Sequence, residues 1–179
     1  VILREVIKAA KILRDEYQIH YNVWSVTSFN ELARDGMACD EYNRLHPLTE
    51  TAQESWVSKQ LRHTYGIMVS ATDHMRAYSE QIRGYLPDNR PYVTLGTDGY
   101  GRSDTRGNLR SYFGVDAAHI VVATLKKLAD EGEVENRLVK DAISSFELDT
   151  DRPVAWAPQE HPQVQAVAEY HEYQAGEGN

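Results

Sequence analysis

The stretch Gly66-Ile67-Met68-Val69-Ser70-Ala71 constrains the fold more than any other feature of this chain. It is short, nearly continuously apolar and opened by a glycine. A run of this kind suits a strand covered on both faces, which is the mark of a parallel sheet. Tyr92-Val93-Thr94-Leu95 is a second such run. A third, over residues 20–27, is dominated by the β-branched and aromatic residues Val23, Trp24, Val26 and Thr27 and is expected as a strand. The segments around these runs have helical periodicity. Strands alternating with helices specify an α/β layer structure with a mainly parallel sheet.

The first helix is expected over residues 1–17, where Ile2, Leu3, Val6, Ile7, Ala10, Leu13 and Tyr17 fall on one stripe. The chain opens without methionine, already in helical register and without a capping side chain, so a loop and a strand are expected ahead of it. Ser28 and Glu31 make a capping box for a helix from Phe29 to Asp35, with Gly36 as its stop. A short helical stretch over 39–46 should end before Pro47. Residues 51–62 read as a helix, and Asp73 is the expected cap of another that carries Met75, Tyr78, Ile82 and Leu86. Three more are expected at about 104–113, 116–131 and 134–146, the second capped by Asp116 and ended by Gly132. After residue 147, Pro153, Pro158 and Pro162 break the pattern, although 163–173 could form one more helix. The expected division is a folded domain over residues 1–148 and an extension over 149–179.

Charge and cysteine content narrow the function classes. Nineteen Lys and Arg stand against 27 Asp and Glu, a net charge of −8. That balance disfavours a general nucleic-acid binder, which needs basic surface to displace counterions. No apolar run approaches the ~20 residues of a membrane span. The single cysteine, Cys39, excludes an internal disulfide framework and a Cys-based zinc site. It agrees with a reduced, cytoplasmic setting. None of the seven histidines forms an HxxxH or HExxH unit, and no serine lies in a GxSxG elbow. Asp73-His74 could act as an acid–base pair, or simply cap a helix start. Trp24, Trp56 and Tyr65 are expected in the core or at an interface.

The strongest local feature is the loop Gly96-Thr97-Asp98-Gly99-Tyr100-Gly101-Arg102-Ser103-Asp104. It follows a strand and precedes a helix, the position at which open α/β sheets bind ligands. Its glycines permit close backbone approach to an anion, and Arg102 and Arg106 could add charge-assisted bonds. Asp98, Gly99, Tyr100, Gly101, Arg102, Ser103 and Arg106 are therefore the candidate ligand or interface residues. Against this, the spacing is neither GxGxxG nor GxxxxGK[ST], and Asp98 and Asp104 would repel a phosphate. The competing explanation is conformational: glycine for positive φ, with Ser103 or Asp104 capping the next helix. No catalytic or metal-ligating set is complete.

Two stretches carry a family resemblance. One is Ser25-Val26-Thr27-Ser28-Phe29-Asn30-Glu31-Leu32-Ala33-Arg34-Asp35-Gly36. The other runs from Leu95 through the glycine loop to Arg106, with Leu109, Arg110 and Phe113. Asn43-Arg44-Leu45-His46-Pro47 and the segment Val115-Asp116 through Val121-Val122-Ala123 add to it. Over about residues 1–148 the chain resembles the C-terminal domain of the homodimeric bacterial pyruvate dehydrogenase decarboxylating component. The resemblance implies a three-layer αβα sandwich with a five-stranded mixed sheet, whose first strand precedes Val1. It also implies an enzyme that decarboxylates pyruvate with thiamine diphosphate and Mg²⁺ and acetylates the lipoyl group of dihydrolipoyl acetyltransferase. In that family the cofactor is held by other domains, so this piece is expected to be inactive alone. Its expected partners are the upstream domains, a second subunit and the acetyltransferase. Two alternatives stay open: an independent anion- or nucleotide-binding domain built on the 96–104 loop, and a docking module for the acetyltransferase core.

Overall fold

A computed structural model of the 179-residue chain describes residues 2–157. The element order is α1 (Leu3–Tyr17), α2 (Phe29–Leu45), α3 (Trp56–Leu61), β1 (Met68–Ala71), α4 (Ala77–Glu80), β2 (Tyr92–Leu95), α5 (Arg106–Phe113), α6 (Ala117–Asp130) and α7 (Asn136–Ser145). The two strands pair in parallel, Met68 opposite Tyr92 through Ala71 opposite Leu95. A parallel pair requires a crossover, and the chain between the strands makes it through α4 and two single 3-10 turns.

Successive side chains of a strand point to opposite faces, and here each face has its own apolar cluster. Ala71 and Leu95 pack against Ala9, Leu13, Ile120, Val121, Leu125, Val139 and Ala142, supplied by α1, α6 and α7. Met68 and Tyr92 pack against Val57, Leu61, Ile82 and Leu86, with Phe29 and Leu32 from α2 alongside. The sheet therefore lies between two helical layers, the α/β arrangement expected from the sequence. Leu125, Val121 and Val115 are fully enclosed. Burial of a side chain such as Leu125 contributes about 2 kcal/mol relative to its exposed state.

Several local expectations hold. Ser28 Oγ accepts from the Glu31 N–H at 3.2 Å and starts α2. Asp116 Oδ1 accepts from the His119 N–H at 3.0 Å and starts α6. Gly132, with φ of +79°, follows the end of α6.

Others are corrected. Residues 20–27 form no strand. They are exposed throughout, with Val23 at 40% and Trp24 at 48%, and among the described residues their backbone groups enter none of the ladder bonds. A β-rich composition makes a strand only where a neighbouring strand supplies hydrogen bonds and cover. The sheet thus has two strands among the described residues, rather than the three read directly or the five implied by resemblance. Gly36 does not stop a helix. α2 runs through it to Leu45, and Gly36 is buried because a Cβ there would lie 2.6 Å from the ring of Tyr85. Asp73 does not cap the element after it, and the helix expected there is reduced to α4 and the two 3-10 turns. Trp24, Trp56 and Tyr65 are exposed and not in the core. The helix expected at 163–173 lies outside the described residues.

Candidate functional site

Because β1 and β2 are parallel, their carboxyl ends open on the same side and bring the two following loops together. The Thr97 N–H donates to the His74 carbonyl at 2.9 Å, and Thr97 Oγ1 donates to the Asp73 carbonyl at 2.9 Å. Gly96 permits this approach, since a Cβ there would lie 2.6 Å from the His74 carbonyl oxygen.

The candidate residues then diverge in role. Asp98 does not face an incoming anion. Its Oδ2 accepts from Arg76 Nε at 2.8 Å and from the Arg76 N–H at 3.3 Å, so its charge is matched. Gly99 has φ of +120°, and a Cβ on it would sit 2.5 Å from the Ala155 carbonyl oxygen. Its glycine requirement is thus conformational and steric, and it is set by the segment at 152–156. That segment is also held by Arg152 Nη1 donating to the Ser111 carbonyl at 2.5 Å, by Tyr112 Oη donating to the Ala155 carbonyl at 3.2 Å, and by Arg76 over the Trp156 ring. Tyr100 points into solvent. Gly101 has open space where a Cβ would be. Arg102 lies over the Tyr112 ring at 4.2 Å, a cation–π distance.

The helix after the loop is capped by neither Ser103 nor Asp104. Thr105 has the extended backbone of a cap, and its Oγ1 accepts from the Asn108 N–H. Asp104 Oδ1 instead accepts from the Thr105 N–H and from Asn108 Nδ2, and these bonds hold its carboxyl below the usual carboxylate range.

Arg102, Gly101 and Arg106 meet in an open cleft of about 530 Å³, together with Asp73, Arg110 and Phe113. Arg110 was not among the residues singled out from the sequence as ligands. Its spacing of four from Arg106 places the two on one face of α5, which is the signal that could have found it. Arg110 is the most enclosed of the three arginines: its side chain is 13% exposed and donates to Glu5 Oε1 at 3.1 Å. The Asp73 carboxylate accepts from the Ile2 N–H at 3.2 Å.

The remaining candidates do not assemble. Asp73 and His74 point to different partners, His74 making an edge contact with Tyr78. Cys39 is a half-buried free thiol on α2. Among the described residues no three His, Cys, Asp or Glu side chains are arranged to hold a metal ion. Nor is any described helix long and apolar enough to cross a membrane.

Two helical layers around a parallel sheet, with a glycine loop at the strands' carboxyl ends, describe a C-terminal domain of the transketolase class. Residues 1–116 match the model of the transketolase-like TK C-terminal domain, and the chain belongs to that family. Its relatives narrow the comparison. It is 46% identical over 151 residues to the pyruvate dehydrogenase E1 component of Pseudomonas aeruginosa, which is 84% of this chain and 17% of that protein. It is 47% identical over 151 residues to the Escherichia coli K12 protein of the same name, again 84% of this chain and 17% of the other. It is likewise 47% identical to the one from Cupriavidus necator, over 85% of this chain and 17% of that protein. The chain spans about a sixth of the length of these relatives (17%).

Proposed function

We propose that this domain is the C-terminal, structural and assembly part of a pyruvate dehydrogenase that decarboxylates pyruvate with thiamine diphosphate and acetylates the lipoyl group of dihydrolipoyl acetyltransferase. The observation that carries this reading is the 46–47% identity to proteins named pyruvate dehydrogenase E1 component, sustained over 151 residues. In this account the domain packs on upstream domains of the same polypeptide and on a second subunit, in the cytoplasm.

The charged cleft does not suit thiamine diphosphate with Mg²⁺. A magnesium-bound diphosphate needs hard oxygen ligands in near-octahedral array. The cleft offers three guanidinium groups, and its one carboxylate, Asp73, already accepts a backbone N–H. The cofactor is therefore assigned to other domains, and no step of its chemistry is assigned to residues of this one.

The test is pyruvate-dependent acetylation of a free lipoyl domain by the complete polypeptide that carries this chain, with thiamine diphosphate and Mg²⁺ supplied. Acetyl transfer supports the assignment. A complete polypeptide that binds the cofactor but acetylates only in response to another 2-oxo acid would refute it.

A further inference from the structure

We propose that the cleft between the 96–104 loop and α5 binds a small phosphate ester, with Arg102 and Arg106 on the phosphate and Leu109 and Phe113 against the organic part. This does not depend on the enzyme assignment above, because it rests on the cleft alone.

Two observations carry it. The first is charge. In a chain with a net charge of −8, this cleft gathers Arg102, Arg106 and Arg110 around one carboxylate, Asp73. Arg110 is matched by Glu5 and Asp73 faces the Ile2 N–H, while Arg102 lies over the Tyr112 ring with the Asp104 carboxylate within electrostatic reach. Arg102 and Arg106 are both exposed residues, and a guanidinium group can fork onto a dianion. The second is shape. The cleft opens at the carboxyl ends of a parallel strand pair, runs along one side of the eight-residue α5, and is lined by Gly101, which has open space where a Cβ would be. Leu109 and Phe113, one turn apart on α5, give the same cleft an apolar wall. A ligand that satisfies both surfaces has a phosphate at one end and a compact apolar body at the other.

The experiment is calorimetric titration of phenyl phosphate, and separately of inorganic phosphate, into the complete polypeptide. Thiamine diphosphate and Mg²⁺ are kept in saturating excess so that any cofactor site is already filled. Saturable binding of phenyl phosphate, tighter than that of inorganic phosphate, is expected. The double variant Arg102→Ala with Arg106→Ala should weaken it at least about tenfold, the loss expected for removing charge-assisted hydrogen bonds. Both side chains are exposed, and an unchanged melting temperature checks that the variant folds. Leu109→Ala should weaken phenyl phosphate more than inorganic phosphate. Absence of saturable phenyl phosphate binding, equal or tighter binding of inorganic phosphate, or an affinity untouched by the double arginine change would each overturn the proposal.

Discussion

Arg110 and Glu5, 105 residues apart in sequence, form an ion pair at 3.1 Å with side chains only 13% and 11% exposed. The other Glu5 oxygen accepts from the Ala117 N–H at 3.3 Å. One carboxylate therefore ties α1 to α5 and to the start of α6. Breaking one partner of an enclosed pair leaves the other charge uncompensated, which is worse than never having had the pair. Glu5→Ala should destabilise the chain by about 3 kcal/mol. Glu5→Ala with Arg110→Leu should recover part of that loss. Urea titrations of the single and double variants measure both.

Gly36 gives a sign test. Glycine inside an exposed helix is worse than alanine by about 1 kcal/mol, so Gly36→Ala would stabilise α2 if nothing packed there. A Cβ would in fact meet the Tyr85 ring at 2.6 Å, and overpacking of this kind costs roughly 1–3 kcal/mol. The expected outcome is a lower melting temperature for Gly36→Ala. A higher one would show that the Tyr85 contact is absent.

Asp116 predicts an acid-side loss of stability. Burial pushes its carboxyl up, but hydrogen bonds from the His119 ring at 2.6 Å and the His119 N–H outweigh this and hold it below the usual carboxylate range. A group whose folded pKa is depressed stabilises the fold above its unfolded pKa, and that stability fades as pH falls through the folded value. Asp116→Ala should cost about 1 kcal/mol near neutrality through loss of the cap. The difference between wild type and variant should shrink on acidification below the ordinary aspartate range. A difference independent of pH would mean that the carboxylate's charge is not what holds the helix start.

The 20–27 segment predicts an exchange pattern. Its amides have no ladder partners among the described residues, so in the isolated chain they should exchange quickly while those of β1 and β2 are protected. Hydrogen–deuterium exchange read by mass spectrometry checks this. Slow exchange at Val23 to Val26 would mean that these residues pair after all.

Much of this fold is legible in the sequence because local chemistry and tertiary context agree. The apolar run at Met68–Ala71 sits between two helical layers, as its composition requires, and the caps at Ser28 and Asp116 are local hydrogen bonds that need no distant partner. The errors fall where distant residues decide. Gly36 looks like a helix end until Tyr85, 49 positions later, occupies the space beside it. Residues 20–27 have strand composition, but pairing is a property of two segments, and one segment cannot show it. At the candidate site, the loop's place at the carboxyl end of a strand was legible. Its internal division was not, because Asp98 is claimed by Arg76 and Gly99 by Ala155 from outside the loop.

The assembly role is tested most directly by removing residues 1–148 of this chain from the complete polypeptide and measuring its sedimentation and pyruvate-dependent acetyl transfer together. If the domain serves assembly, the shortened protein loses its dimer and its activity, while still containing every residue assigned to cofactor binding. A shortened protein that remains a dimer with full acetyl transfer would contradict that account.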